Sequence, residues 1–265
     1  MHGPAGMSSS IHESSPDPSS ARFRIGTAGW SLPKAEQDAF PVEGTHLERY
    51  AARFPAVEIN SSFYRPHRPS TYARWAESVP AGFRFAVKVP RAITHERRLR
   101  DAGDALDGFL AEATALGPAL GCLLVQLPPS LAYDAKVVEA FLRALRARHD
   151  GAVALEPRHA TWFTPEAERP LLAHGIARVA ADPAKVPAAA EPAGDPRVVY
   201  YRLHGSPRIY YSDYDDAYLD ALAVRMLADA HADAARDVWC IFDNTALGCA
   251  TKNALALMER LRDDD

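Results

Sequence analysis

The chain has 265 residues, 48% of them hydrophobic and 24% charged, with a formal net charge of -4. No stretch approaches the roughly 18 consecutive apolar residues of a membrane span, and the small acidic excess gives no overall electrostatic footprint for nucleic acid. Cys122, Cys240 and Cys249 stand far apart with no CxxC pair, which argues against a disulfide framework and a cysteine zinc site; no apolar h-region marks the N-terminus, so a reducing, cytoplasmic location is expected.

Residues 1–21 hold many Ser, Pro and Gly among isolated apolar residues, too little apolar surface to offset the entropy of ordering, and are expected to form a disordered N-terminal leader. From residue 22 onward short apolar runs alternate with segments of helical period. The first run, 24–30 (RIGTAGW), precedes a stripe of Leu47, Tyr50, Ala51 and Phe54, where Thr45 and Glu48 form a capping box. Runs at 56–60 (AVEIN) and 83–90 (FRFAVKVP) follow, then the stripe Leu106, Phe109, Leu110 and Ala113. The run 121–128 (GCLLVQLP) leads to the stripe Val137, Val138, Phe141, Leu142 and Leu145, and 152–157 (AVALEP) and 177–182 (ARVAAD) come next. The connection 183–196 carries Pro183, Pro187, Pro192 and Pro196, which leaves no room for a full helix. The last runs, 197–205 (RVVYYRLHG) and 237–244 (DVWCIFDN), are each followed or preceded by stripes, Leu219, Leu222, Ala223 and Met226 and then Ala254, Leu257, Met258 and Leu261.

Strands alternating with helices specify parallel βαβ units. Eight such units over residues 22–265 average about 30 residues each, close to the minimal repeat. The expected fold is therefore α/β: a single (β/α)8 TIM-type barrel over 22–265 with a degenerate sixth helical connection, favoured over an open doubly wound sheet.

In such a barrel the chemistry gathers where strands end at their C-terminal side. A strand alternates its two faces with period two, so polar residues of one parity inside apolar runs are informative. Glu58 and Asn60, Lys88, Gln126, Glu156 with Arg158, Arg202 with His204, and Asp243 with Asn244 all lie at or near such ends. Isolated charges in that position must pair with each other or with a ligand. Lys88, Arg158 and Arg202 against Glu58 and Glu156 suggest capture of an anionic or polyhydroxylated small molecule, since guanidinium groups suit carboxylate and phosphate. Glu156 or Glu58 is a candidate general base and His204 a proton shuttle. Asn60, Gln126 and Asn244 would orient hydroxyls, and aromatics of the same rim, among them Trp30, Phe63, Tyr64, Trp162, Tyr210, Tyr211 and Tyr214, offer a stacking wall.

These blocks taken together, GTAGW at 26–30, EINSSFY at 58–64, FAVKVPR at 85–91 with ITH at 93–95, QLPPS at 126–130, EPRHATW at 156–162, YRLHG at 201–205 and FDNT at 242–245, resemble the YecE-like family, DUF72. The resemblance covers Arg24 to Leu261 and implies a TIM-barrel fold and a role for the same rim residues, but no reaction. Ala28 stands where the family usually has Ser, and Leu32 where an aromatic is common.

The leading expectation is an enzyme acting by acid/base chemistry on a small phosphorylated or carboxylated, sugar-like substrate. In a second reading Glu58, Glu156, Asp182 and His204 hold a divalent cation, Mg, Mn or Zn, in an isomerase or phosphodiesterase-like barrel; three nearby cations and the lack of a dense ligand motif oppose it. A third is a non-enzymatic nucleic-acid or partner-binding protein using HERRLR at 95–100 and the Tyr210, Tyr211, Tyr214 loop. Neither GxxxxGK, GxGxxG nor GxSxG is present, so no organic cofactor is expected. Oligomeric state is not encoded legibly.

Overall fold

A computed structural model describes residues 23–232 and 236–262; the expected leader at 1–21 lies outside the described residues. The fold is mixed α/β with parallel sheets. Each expected apolar run forms strand, β1 (Phe23–Thr27), β2 (Ala56–Ile59), β3 (Arg84–Lys88), β4 (Leu120–Gln126), β5 (Val153–Glu156), β6 (Ala177–Arg178) with β7 (Ala180–Asp182), β9 (Val198–Leu203) and β10 (Asp237–Phe242), and a further short strand, β8 (Ala193–Gly194), forms in the proline-rich connection, where none was expected. They group into a four-stranded sheet ordered β1-β10-β9-β7 and a six-stranded sheet ordered β2-β3-β4-β5-β6-β8. All pairings are parallel except β6 with β8.

The expected stripes become α1 (His46–Ala51), α3 (Gly103–Ala113), α4 (Ala135–Arg146), α6 (Asp216–Ala232) and α7 (Cys249–Arg262), joined by α2 (Pro69–Glu77) and α5 (Pro165–Ala173). Their apolar faces bury against the strands: Leu106, Phe109, Leu110 and Ala113 of α3 are all buried, as are Leu219, Leu222, Ala223 and Met226 of α6. The capping box before α1 is formed, with Thr45 Oγ1 accepting from the Glu48 amide and Glu48 Oε2 accepting from the Thr45 amide. The proline-rich connection forms only a short 3-10 turn, Pro187–Ala190, before β8. No helix among the described residues is long and apolar enough to cross a membrane.

Two junctions between the sheets position the site. Residues 177–182, expected as one strand, divide at Val179: β6 pairs with β5, whereas β7 pairs with β9. The chain thus changes neighbours within one extended stretch. At the other junction, Ala28 pairs with Glu58 as an isolated parallel bridge, and the Gly29 amide donates to Glu58 O at 2.8 Å. Just before it the fully buried Tyr50 hydroxyl accepts from the Thr27 amide at 2.8 Å and donates to Ala56 O at 3.1 Å. The approach is close because residue 26 is glycine: a Cβ there would lie 2.1 Å from Ala56 O. Tyr50→Phe strands two buried backbone groups and is expected to cost about 2–4 kcal/mol, read as a lower midpoint in urea unfolding with an unchanged slope.

The strands carry two apolar clusters of opposite parity. Val57, Phe85, Leu123, Leu155, Val199 and Phe242 face the helices. Ala56, Ala86, Leu124, Ala154, Tyr200 and Ile241 face the other way, joined by Cys122 and Trp239; the Tyr200 and Trp239 rings stack with centroids 5.8 Å apart. Small residues from β2, β3 and β5 leave room for those two large rings.

Candidate functional site

Two positions further along each of those strands, the second face turns from apolar to polar. Ala56 is followed by Glu58, Ala86 by Lys88, Leu124 by Gln126, Ala154 by Glu156, Tyr200 by Arg202 and Ile241 by Asp243. Parallel register therefore gathers one polar layer on top of an apolar one. Glu58, Glu156 and Arg202 are 0% exposed, His204 is 1% and Lys88, Gln126 and Asp243 are 5%.

Arg202 lies among the three carboxylates. Its Nε and Nη2 donate to Glu58 Oε2 and Oε1 at 2.9 and 2.7 Å, a bidentate fork. Nη1 reaches Glu156 Oε2 at 3.3 Å, and Nη2 lies 3.0 Å from Asp243 Oδ2. The His204 ring spans the remaining gap, with Nδ1 2.9 Å from Asp243 Oδ2 and Nε2 2.9 Å from Glu156 Oε1. Gln126 Nε2 donates to both Glu156 oxygens at 3.1 Å, and Arg158 Nε lies 3.2 Å from Oε1. Tyr200 Oη donates to Glu58 Oε2 at 3.4 Å.

The electrostatics follow from this packing. Burial pushes the Glu156 carboxyl up, but His204, Arg202 and Arg158 outweigh it and hold the group well below the usual carboxylate range. Asp243 goes the same way, burial being overcome by Arg202, His204 and Lys88. Lys88 differs, because burial and then Arg202 push its ammonium down to about 8, against the pull of Glu58, Asp243 and Glu156. Its Nζ donates to Asn60 Oδ1 at 3.1 Å and sits 4.2 Å from the centre of the Phe63 ring.

Above the layer a cavity of about 100 Å³ is lined by Pro129, Pro157, Arg158, Ala181, Pro183, Lys185, Ala189, His204 and Ile209. Three of its walls carry basic groups. The Tyr210 ring packs edge-on against that of His204, their centroids 6.0 Å apart. The Tyr210 φ of 72° is in the left-handed region, a strain of about 1–2 kcal/mol for a non-glycine residue. The turn is fixed at both ends, since the Tyr210 amide donates to His204 O and its carbonyl accepts from the Ala246 amide.

The structure thus brings together Glu58, Asn60, Lys88, Gln126, Glu156, Arg158, Arg202 and His204. Four other expected positions lie apart from the network. The Trp162 indole is 1% exposed and donates to Leu131 O at 2.8 Å, so it packs beneath its loop. Asn244 Nδ2 donates to Ser212 O and Asn253 Oδ1, tying the loop after β9 to α7. Trp30 packs edge-on against Trp75 at 5.1 Å, and Tyr64 is 67% exposed beside Phe63. Asp182, a ligand in the metal reading, accepts from the buried Tyr214 hydroxyl at 2.8 Å. Among the described residues no group of three or more His, Cys, Asp or Glu is disposed to hold a metal ion. In the basic run, Arg97 donates to Asp101 O, Arg98 to Ser130 and Arg100 to Asp134.

Three neighbours of the site escape parity reasoning because they lie on loops. Lys185 belongs to the proline-rich connection. Tyr210 owes its place to a left-handed turn. His95 lies in a π-helical turn, Ala92–Glu96, with its ring centroid 4.9 Å from that of Phe63; the signal available for it was the ITH block after the third strand.

A family profile described as "Protein of unknown function DUF72" matches residues 24–265. Over 153 residues the chain is 33% identical to UPF0759 protein YecE of Escherichia coli, covering 57% of this chain and 54% of that protein. It is 30% identical over 149 residues to UPF0759 protein YunF of Bacillus subtilis, covering 53% and 52%. These matches span about half the length of either relative. A crystal structure of a DUF72 family protein from Thermotoga maritima superposes with a TM-score of 0.75 at 25% identity, covering 91% of this chain and 99% of that one. One from Enterococcus faecalis gives 0.75 at 24% identity over 91% and 95%.

Proposed function

The chain belongs to the DUF72 family, and from that premise we propose that it is an enzyme carrying out acid/base chemistry on a small anionic substrate, carboxylated or phosphorylated and sugar-like. The observation that carries this reading is a saturated carboxylate network with basic groups left over beside a cavity. Glu58, Glu156 and Asp243 are already met by Arg202, His204, Gln126 and Arg158. Lys185 on the cavity wall, which makes no ion pair among the described residues, therefore has charge available for a ligand, and Arg158 on the same wall adds the donors that Glu156 does not use. His204 borders the cavity and touches Glu156, so this pair moves the proton. Glu58 and Arg202 act through these groups, holding Glu156 and Asp243 in place. Asn60 and Gln126 orient hydroxyls, and the strained Tyr210 supplies an aromatic edge over the mouth.

We read the strands as one (β/α)8 barrel spanning 22–265. The bridge from Ala28 to Glu58 and the Tyr50 hydroxyl support closure at one junction, and the unbroken chain from β6 into β7 supports it at the other. The polar layer then sits at the C-terminal face, where barrels of this kind carry their chemistry. The metal reading is weaker because the Arg202 guanidinium fills the space among the carboxylates that a dication would need.

Thermal-shift titration with inorganic phosphate, sulfate and citrate tests the proposal. Phosphate is expected to raise the melting temperature of the wild-type chain in a dose-dependent way. Lys185→Gln, at an exposed position, should leave the unliganded melting temperature unchanged and weaken phosphate about tenfold. No shift with any of the three anions would overturn it.

A further inference from the structure

Lys88 is buried among carboxylates and yet pairs with none of them. Among the described residues no carboxylate oxygen lies within the 4.0 Å of an ion pair from its Nζ, because Glu58, Glu156 and Asp243 are turned toward Arg202 and His204. An ammonium has three N–H donors, and among the described residues the one acceptor supplied is Asn60 Oδ1. A buried cation without a counter-ion weakens a fold, so stability gives no reason to keep one. A neutral amine fits the same pocket without that penalty.

Burial and the Arg202 guanidinium favour the neutral form, against the pull of the three carboxylates and of the Phe63 ring on the ammonium. Phe63 lays its ring against Nζ, 4.2 Å from centroid to nitrogen. On the same ring packs His95, whose Nδ1 faces Thr94 Oγ1 at 2.9 Å and whose Nε2 has no hydrogen-bond partner among the described residues. Burial, then Lys88, Arg91 and Arg158, lower the basicity of His95, against Glu96. An amine and an imidazole base thus both contact the Phe63 ring.

We propose that Lys88 is a nucleophile that condenses with an aldehyde or ketone carbonyl, so that the substrate is an anion that also carries a carbonyl group: an oxo-acid or a carbonyl-bearing phosphate. The anionic half of that description rests on the function proposed above; the covalent step does not. The Nζ lone pair attacks the carbonyl carbon, a C–N bond forms, and the carbonyl π electrons pass to oxygen. The two protons leaving nitrogen, relayed by His95, end on that oxygen, which departs as water when the C–O bond breaks. Amine and carbonyl become imine and water with no change of oxidation state. With Nζ held near 8 by burial and Arg202, the neutral fraction at pH 7 is about 300-fold that of an ordinary lysine.

The chain has five lysines, Lys34, Lys88, Lys136, Lys185 and Lys252, so labelling can be mapped peptide by peptide. The full chain is incubated at pH 7 with glycolaldehyde phosphate and sodium cyanoborohydride, which reduces an imine to a stable secondary amine. The expected result is an adduct on Lys88 formed at least tenfold faster than on the exposed Lys34, slowed by inorganic phosphate and by His95→Gln, and absent in Lys88→Arg. Labelling of Lys88 no faster than Lys34 overturns the nucleophile, even where phosphate still shifts the melting temperature. Equal labelling of Lys88 by uncharged glycolaldehyde and its phosphate leaves the nucleophile standing and counts against the anionic substrate.

Discussion

Arg202→Met is expected to destabilise the chain by about 3–5 kcal/mol, a large part of the total stability of a single domain. The guanidinium is 0% exposed and, among the described residues, is the one group in contact with all of Glu58, Glu156 and Asp243. Its removal leaves three buried carboxylates sharing His204, Arg158 and Gln126. Arg202→Lys keeps the charge but cannot reproduce the fork on Glu58, so an intermediate loss of about 2–3 kcal/mol is expected. Urea unfolding at pH 7 measures both, and a loss below about 1 kcal/mol in the methionine variant would mean that the network contributes little net stability. The acid limb provides a second readout. Glu156 and Asp243 have folded pKa values below their unfolded ones. Their contribution is therefore fully present above about pH 4 and is lost as the pH falls toward the folded values. Without Arg202 those carboxyls take up protons more readily, and acid unfolding should begin at a higher pH.

Lys88→Met should act in the opposite direction, raising stability at pH 7 by about 1–3 kcal/mol. The folded pKa of about 8 lies below the ordinary value of 10.5, so the unfolded chain binds this proton more tightly. The native state bears the full penalty below about pH 8 and sheds it as the pH rises toward about 10.5. A shift of that size corresponds to about 3 kcal/mol, reduced by the donor that Asn60 Oδ1 loses. Methionine has similar length and no charge to bury. Melting curves at pH 7 and pH 9.5 should show a large advantage for the variant at the lower pH and a small one at the higher. A variant less stable than wild type at pH 7 would show that Nζ is paired and solvated in solution. Stability gained by deleting a buried charge is what a position retained for chemistry is expected to show.

The polar layer was legible because strands have a period of two. Glu58, Lys88, Gln126, Glu156 and Arg202 interrupt apolar runs at one parity, and parallel register converts shared parity into shared space. Asp243 follows the same rule one residue past β10. Loops obey no such period. Trp162 follows β5 by six residues and turns inward through a 3-10 turn to meet Leu131 O, an orientation set by backbone angles that composition does not record. Asn244 follows Asp243 directly and so points the other way, toward α7. The division of residues 177–182 at Val179 was hidden for a related reason, since a strand that exchanges partners keeps the same extended pattern on both sides of the exchange. Lys185 lay in a stretch whose prolines announced irregularity without saying which way it bends.

The apolar layer beneath the charges has one more consequence. Tyr200, Trp239, Leu124 and Ile241 with the alanines around them form a low-dielectric floor across the interior. Field lines between Arg202 and the carboxylates Glu58, Glu156 and Asp243 are screened less on that side than they would be by water, so the floor tightens the pairing of the layer above it. The stacked rings act as an electrostatic insulator as much as a hydrophobic core.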